Sequence, residues 1–73
     1  YETIKELLYA PGLGHYFTYG LLAARKINSV WEPVEFIHDV TTDYLLVKKM
    51  EELFNRYQLY PIHLRDAIED MLP

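Results

Sequence analysis

The chain has no cysteine, one serine and one tryptophan. Without cysteine no disulfide can staple the fold. Ser29, the lone serine, stands in a polar stretch with no histidine at near spacing, so nucleophilic hydrolysis finds no support. Apolar runs are short. The longest, Tyr16 to Ala24, is broken by Thr18 and Gly20 and reaches about half of the ~20 residues that cross a bilayer as a helix, so no membrane span is expected. The opening residues lack the basic, apolar, small-residue order of a secretory signal. The absence of cysteine fits a reducing compartment, and the expected location is the cytoplasm. Basic residues are in deficit too, 7 Lys+Arg against 11 Asp+Glu, a net charge of −4. The deficit lies in residues 32–73, which sum to −5 against +1 for residues 1–31. Gly12-Leu13-Gly14 has neither the third glycine of a dinucleotide fingerprint nor a Lys-Ser/Thr ending, so it is a turn and not a phosphate cradle.

What is present suits one small globular domain spanning residues 1–73. Apolar residues make up 51% and aromatic residues 15%, with seven tyrosines among them, which argues against disorder. A chain of this size buries only about 60% of its unfolded surface, and ordering costs about 1.5 kcal/mol per residue. A compact mini-core, a homo-oligomer or a partner chain must supply the remaining stability.

Tyr16 to Ala24 reads as a strand with two apolar faces, as for an inner strand covered on both sides, and Gly20 within it marks a bulge or a close approach. After Pro33, the residues Val34, Phe36, His38 and Val40 alternate with Glu35, Ile37 and Asp39, the period of a half-buried strand with the first set inward. The two strands form a hairpin whose loop, about Ile27 to Pro33, carries Trp31. Thr41-Thr42-Asp43 caps a helix in which Leu46, Met50, Leu53, Phe54 and Tyr57 share a face. Its Lys48, Glu52 and Arg56 are spaced as solvated i,i+4 pairs. Pro61 opens a second helix striped by Leu64, Ala67, Ile68, Met71 and Leu72. Residues 1–10 fit a short helix through a Thr3/Glu6 capping box, or a strand folding back across the Gly-rich turn. The strand is preferred because two strands alone make a marginal sheet. The expected architecture is α+β: an antiparallel β-hairpin or three-stranded meander packed against two C-terminal helices. Its core would hold Leu21 or Leu22, Phe36, Leu46, Met50, Leu53, Phe54, Leu64 and Ile68.

Chemistry-bearing residues are sparse, and no catalytic residue is proposed. His63, Asp66 and Asp70 lie at offsets of three and seven on the last helix. They read first as a solvated acidic face, with His63 bonding Asp66, because a metal would need a further ligand from His38 or Asp39. His38 reads as a hydrogen-bonded core or rim histidine, and His15 as an exposed turn residue. The two tandem helices resemble a helix-turn-helix with His63 and Arg65 near the start of the reading helix. That helix carries one Arg against Asp66, Glu69 and Asp70, the wrong balance for phosphate neutralisation, so no nucleic acid is expected. The tyrosines fill a small core efficiently. Tyr1, Tyr9, Tyr44, Tyr60 and Trp31 are nevertheless candidates for exposure, and Trp31 and Tyr60, placed in turns, are the better partner anchors. Asp66, Glu69 and Asp70 would favour a basic partner surface.

The run from Phe54 to Leu72, with its Pro61-Ile62-His63-Leu64-x-Asp66-x-Ile68-Glu69-Asp70 helix, together with Tyr19-Gly20-Leu21 and Asp39-Val40-Thr41-Thr42-Asp43, resembles a small, uncharacterised bacterial family of unknown function. The resemblance implies a compact intracellular α+β protein and transfers no catalytic residues. Three functional classes follow. The expected one is a non-catalytic protein-binding or regulatory module, with no cofactor, acting on a protein partner or as a homo-oligomer. The alternatives are a small-ligand or metal site around His38, Asp39, His63 and Asp66, and the disfavoured helix-turn-helix.

Overall fold

Two residue periods, one of two and one near 3.6, divide the chain into a strand half and a helix half. The computed structural model describes residues 1–73 and shows β1 (Glu2–Ala10), β2 (Gly14–Ile27), β3 (Val30–Thr41), α1 (Tyr44–Arg56), a 3-10 turn (Pro61–His63) and α2 (Leu64–Met71). The strands form one antiparallel sheet in the order β1-β2-β3. Residues 1–10 are therefore a strand, and the fold is the α+β meander with two C-terminal helices. Pro61 begins a 3-10 turn that leads into α2, so the second helix starts three residues later than its proline suggests.

The turns explain the strand lengths. Gly12 and Gly14 take φ of +89° and +77°, backbone that glycine adopts without a Cβ penalty, and the Leu13 N–H closes the turn onto the Ala10 carbonyl at 3.1 Å. Asn28 and Ser29 both take positive φ, as a two-residue I′ hairpin turn requires. This tight turn replaces the longer loop expected over Ile27 to Pro33. Trp31 consequently stands inside β3, opposite Lys26. Pro33 is tolerated because β3 is an edge strand.

The register of β3 turns on Gly20. Tyr19 pairs with Thr41 and Leu21 with Ile37, so Gly20 alone faces His38, Asp39 and Val40 in a bulge. A Cβ at Gly20 would sit 2.6 Å from the Ile37 carbonyl oxygen and 3.1 Å from the Phe36 ring, which is why this position holds no side chain. Asp39, at the bulge, has φ of +51°. Its carboxylate accepts a 2.7 Å hydrogen bond from the fully buried Thr18 hydroxyl. From β1, the Glu6 carboxylate reaches across the sheet and accepts from the Asp39 N–H at 3.0 Å and from His38 Nδ1 at 2.7 Å.

This bulge changes the expected inner face of β3 before Asp39, where Ile37 takes the place of Phe36 and His38, and leaves Val40 inward as expected. Ile37 and Val40, three apart, both pack on the core. Phe36 pairs with Leu22 on the opposite face and stacks edge-on against His38, with centroids 4.1 Å apart. Phe36 is therefore not a core residue, and His38 is exposed and not inward.

Both helices lie on the Leu21 face of the sheet, and the core is Leu21, Ala23, Val47, Met50, Phe54, Leu64 and Ile68. Leu46 and Leu53 border it, half-buried. Tyr57, which helical spacing puts on the face of Met50 and Phe54, is 73% exposed because α1 ends at Arg56 and Gln58 turns into left-handed backbone. Asp43 caps α1, accepting from the Leu46 N–H at 3.2 Å. Of the two expected ion pairs, Arg56 meets Glu52 at 2.6 Å. Lys48 turns instead to Glu51 at 2.8 Å, and Glu51 also accepts the Thr3 N–H at 2.7 Å, tying α1 to β1. No helix covers the Leu22 face, so β2 is covered on one side and not on two.

Candidate functional site

Where β2 and β3 approach their shared turn, a gap separates them from the connection between α1 and the 3-10 turn. The gap is a groove of about 670 Å³. Tyr1, Trp31, Val34, Phe54, Leu59, Tyr60 and Ile62 supply most of its apolar wall, and Arg25, Asn55 and Gln58 supply polar groups. Trp31 and Tyr60 come from separate elements and are 66% and 73% exposed. The fold brings these two expected anchors to one site. Tyr1, Ala24 and Trp31 also line a second, smaller groove of about 380 Å³ with Glu2 and Leu22, so Trp31 stands between the two.

Local bonds hold the floor in place. The Tyr1 hydroxyl donates to the Leu59 carbonyl at 2.6 Å, and its ring meets Phe54 edge-on at 5.6 Å. Burial pushes the Tyr1 phenol above its ordinary value and the nearby Glu35 charge adds to the rise, so the hydroxyl remains a donor at neutral pH. Asn55 Nδ2 donates to the Tyr1 carbonyl at 3.1 Å. Tyr1, a candidate for exposure, is thus half-buried and serves as a strut between sheet and helix. Tyr9 and Tyr44 are exposed.

The remaining expected site residues do not join the groove. Asp66, Glu69 and Asp70 stand exposed along α2. Arg65 at the start of that helix pairs with Glu35 at 3.3 Å. His63 caps α2 without a side-chain bond, so the expected tie to Asp66 does not form. His38 turns to Glu6 and Asp39 to Thr18, and no three histidine or carboxylate groups converge to hold a metal ion. The alternative site around His38, Asp39, His63 and Asp66 is not assembled. His15 lies exposed against Tyr9, with ring centroids 5.2 Å apart.

The Glu6 carboxylate is the most constrained charge. The hydrogen bond from His38 holds it below the usual carboxylate range, outweighing the partial burial that pushes it up, and the Asp39 N–H adds to the hold. Glu51 behaves alike: burial pushes it up, but the bonds from Lys48 and the Thr3 N–H bring it lower on balance. Both groups anchor backbone, and neither faces the groove.

A family model described as a family of unknown function (DUF6514) matches residues 1–73. The chain belongs to this family. The match takes in β1 and the Gly-rich turn as well as the segments that carried the resemblance. No curated protein and no solved structure matches the chain. No helix is long and apolar enough to cross a membrane.

Sequence reasoning missed Val34, Leu59 and Ile62 as groove residues. A signal was available for two of them, since Leu59-Tyr60-Pro61-Ile62 is an apolar run in a connection between helices, where polar residues are the norm. Val34 carried none, because strand alternation placed it inward.

Proposed function

We propose that this chain is a non-catalytic protein-binding module whose docking site is the groove flanked by Trp31 and Tyr60. The observation that carries the reading is the meeting of these two exposed rings, 29 positions apart in sequence, around one apolar concavity. Tyrosine and tryptophan supply large contact area with few rotatable bonds, and they are enriched at the energetic centres of interfaces. The groove suits an apolar segment of a partner protein. The exposed Asp66, Glu69 and Asp70 favour approach by a partner with basic flanks.

Several features support binding without turnover. Glu6, His38, Asp39 and Thr18 are spent on holding the β3 bulge, and Ser29 sits in a tight turn. Nucleic acid is set aside because α2 presents Asp66, Glu69 and Asp70 beside an Arg65 already paired with Glu35. A cytoplasmic location, consistent with the lack of cysteine, completes the reading.

The test is selection from a displayed peptide library against the intact chain, with Trp31→Ala and Tyr60→Ala as comparators. Apolar peptides with basic flanks should be enriched, and each substitution should weaken their binding at least tenfold. Enrichment that survives both substitutions, or no enrichment at all, refutes the assignment.

A further inference from the structure

The groove leaves one large feature unused. The chain measures 46 × 25 × 18 Å with a radius of gyration of 13.2 Å, against about 11 Å for a compact chain of this length. The distal half of the β1–β2 hairpin runs on past β3, whose last pair with β2 is Thr41 with Tyr19. Core residues of β2 lie at Leu21 and Ala23, while the pairs Leu7 with Phe17 and Tyr9 with His15 continue the same face outward. Leu7, Tyr9, Leu13 and Phe17 each leave more than half of their surface in water.

We infer that this hairpin tip is a self-association surface, packing face to face against the same tip of a second copy. This goes beyond the groove and does not depend on it. Three observations select a second copy as the occupant. First, residues 7–17 contain no Asp, Glu, Lys or Arg, in a chain of net charge −4. Two molecules of net charge −4 repel one another on the whole, and the tip is where they can meet without like charges in contact. A surface without charge also offers nothing to a partner chosen by its charge.

Second, Leu7, Tyr9 and Phe17 lie on one face of an antiparallel hairpin with Leu13 in the turn beyond them, an arrangement that can meet its own copy under a two-fold axis. Lys5 bounds this face on the protein side, its ammonium 4.1 Å from the centre of the Phe17 ring. Third, the size is right for a weak dimer. Four side chains at on the order of 100 Å² each leave about 400 Å² of apolar surface per copy. Two copies then bury roughly 800 Å² in all, below the ~1,200 Å² at which stable interfaces begin, so the association is weak and transient.

Sedimentation equilibrium from 5 to 500 µM, about the range in which such an interface would fill, tests the inference. The wild-type chain of 8.7 kDa should move toward twice that mass as concentration rises. Leu13→Asp and Phe17→Asp should each hold it at the single-chain mass with an unchanged circular dichroism spectrum. Tyr60→Asp, at the groove, should leave the association as it is, which separates this surface from the proposed binding site. Should an aspartate variant unfold, Leu13→Cys decides, since the chain has no other cysteine: on mild oxidation it should form a covalent dimer at a rate that rises with the associated fraction. A wild-type chain that stays monomeric over the whole range overturns the inference. So does association that survives both aspartate substitutions, or cross-linking that is insensitive to concentration.

Discussion

Replacing Gly20 with alanine probes the contact that sets the register of β3. The added methyl would meet the Ile37 carbonyl oxygen at 2.6 Å, so that backbone must retreat by roughly 0.8 Å to reach ordinary contact, and the Phe36 ring and the Glu6 carboxylate are close behind at 3.1 and 3.2 Å. A ring can rotate, but a carbonyl fixed in a sheet cannot, and overpacking of this kind costs about 1–3 kcal/mol. Alanine also restricts the unfolded chain, which offsets about 0.4–1 kcal/mol. From the midpoints of these ranges the expected net loss is about 1–2 kcal/mol, from a total near 4–11 kcal/mol for this length. In melting temperature that is a fall of about 4–16 °C. Urea denaturation followed by circular dichroism, at one fixed protein concentration, should show a lower midpoint with an unchanged slope. Because Glu6 shares the contact, Gly20→Ala and Glu6→Gln should together cost at least ~0.5 kcal/mol less than the sum of the two. Gly12→Ala, which meets no atom within 4 Å but sits at φ of +89°, should cost only its local strain of about 1–2 kcal/mol and show no coupling to Glu6. A Gly20→Ala chain as stable as the wild type would refute the argument that this close approach creates the bulge.

Two further predictions concern stability. Leu64 is fully buried between α2 and the sheet, so Leu64→Ala should lose about 2–5 kcal/mol in the same assay, whereas Leu45→Ala, on the exposed side of α1, should stay within about 0.5 kcal/mol of wild type. Glu6 and Glu51 titrate below the ordinary glutamate value of 4.5 in the folded chain, so the folded state holds fewer protons than the unfolded state in this range. Their contribution is fully present above that value and is lost as pH falls through the lowered folded values. Denaturation midpoints from pH 6 to pH 3, about the span of carboxylate titration, should therefore fall with acid and fall less steeply in Glu6→Gln. Equal slopes for the two chains would show that Glu6 is not held by the β3 bulge.

Much of the fold was legible because it is written in short-range rules. The Asp43 cap, the helical spacing of Met50 and Phe54, the stripe of Leu64 and Ile68 and the glycine turn each depend on residues within one or two turns of each other. The candidate site was legible only in part. Trp31 and Tyr60 stood out by type and by exposure, but Asp66, Glu69 and Asp70 remain apart from them on α2. Tyr57 misled because its helical phase is right while the helix ends one residue too early to use it.

From composition and local pattern alone came two strands, a third preferred over a short helix, two helices in order, an acidic C-terminal half without cysteine, and Trp31 and Tyr60 as candidate anchors, since period, capping and turn chemistry act between near neighbours. Tertiary packing decided the inward face of β3, where a glycine on one strand and two carboxylates shift the pleat and turn Phe36 out. It also left the Leu22 face uncovered, extended the hairpin beyond its helices and drew Trp31 and Tyr60 around one groove. These outcomes depend on which backbone can approach which, a property of pairs far apart in sequence that no local pattern encodes.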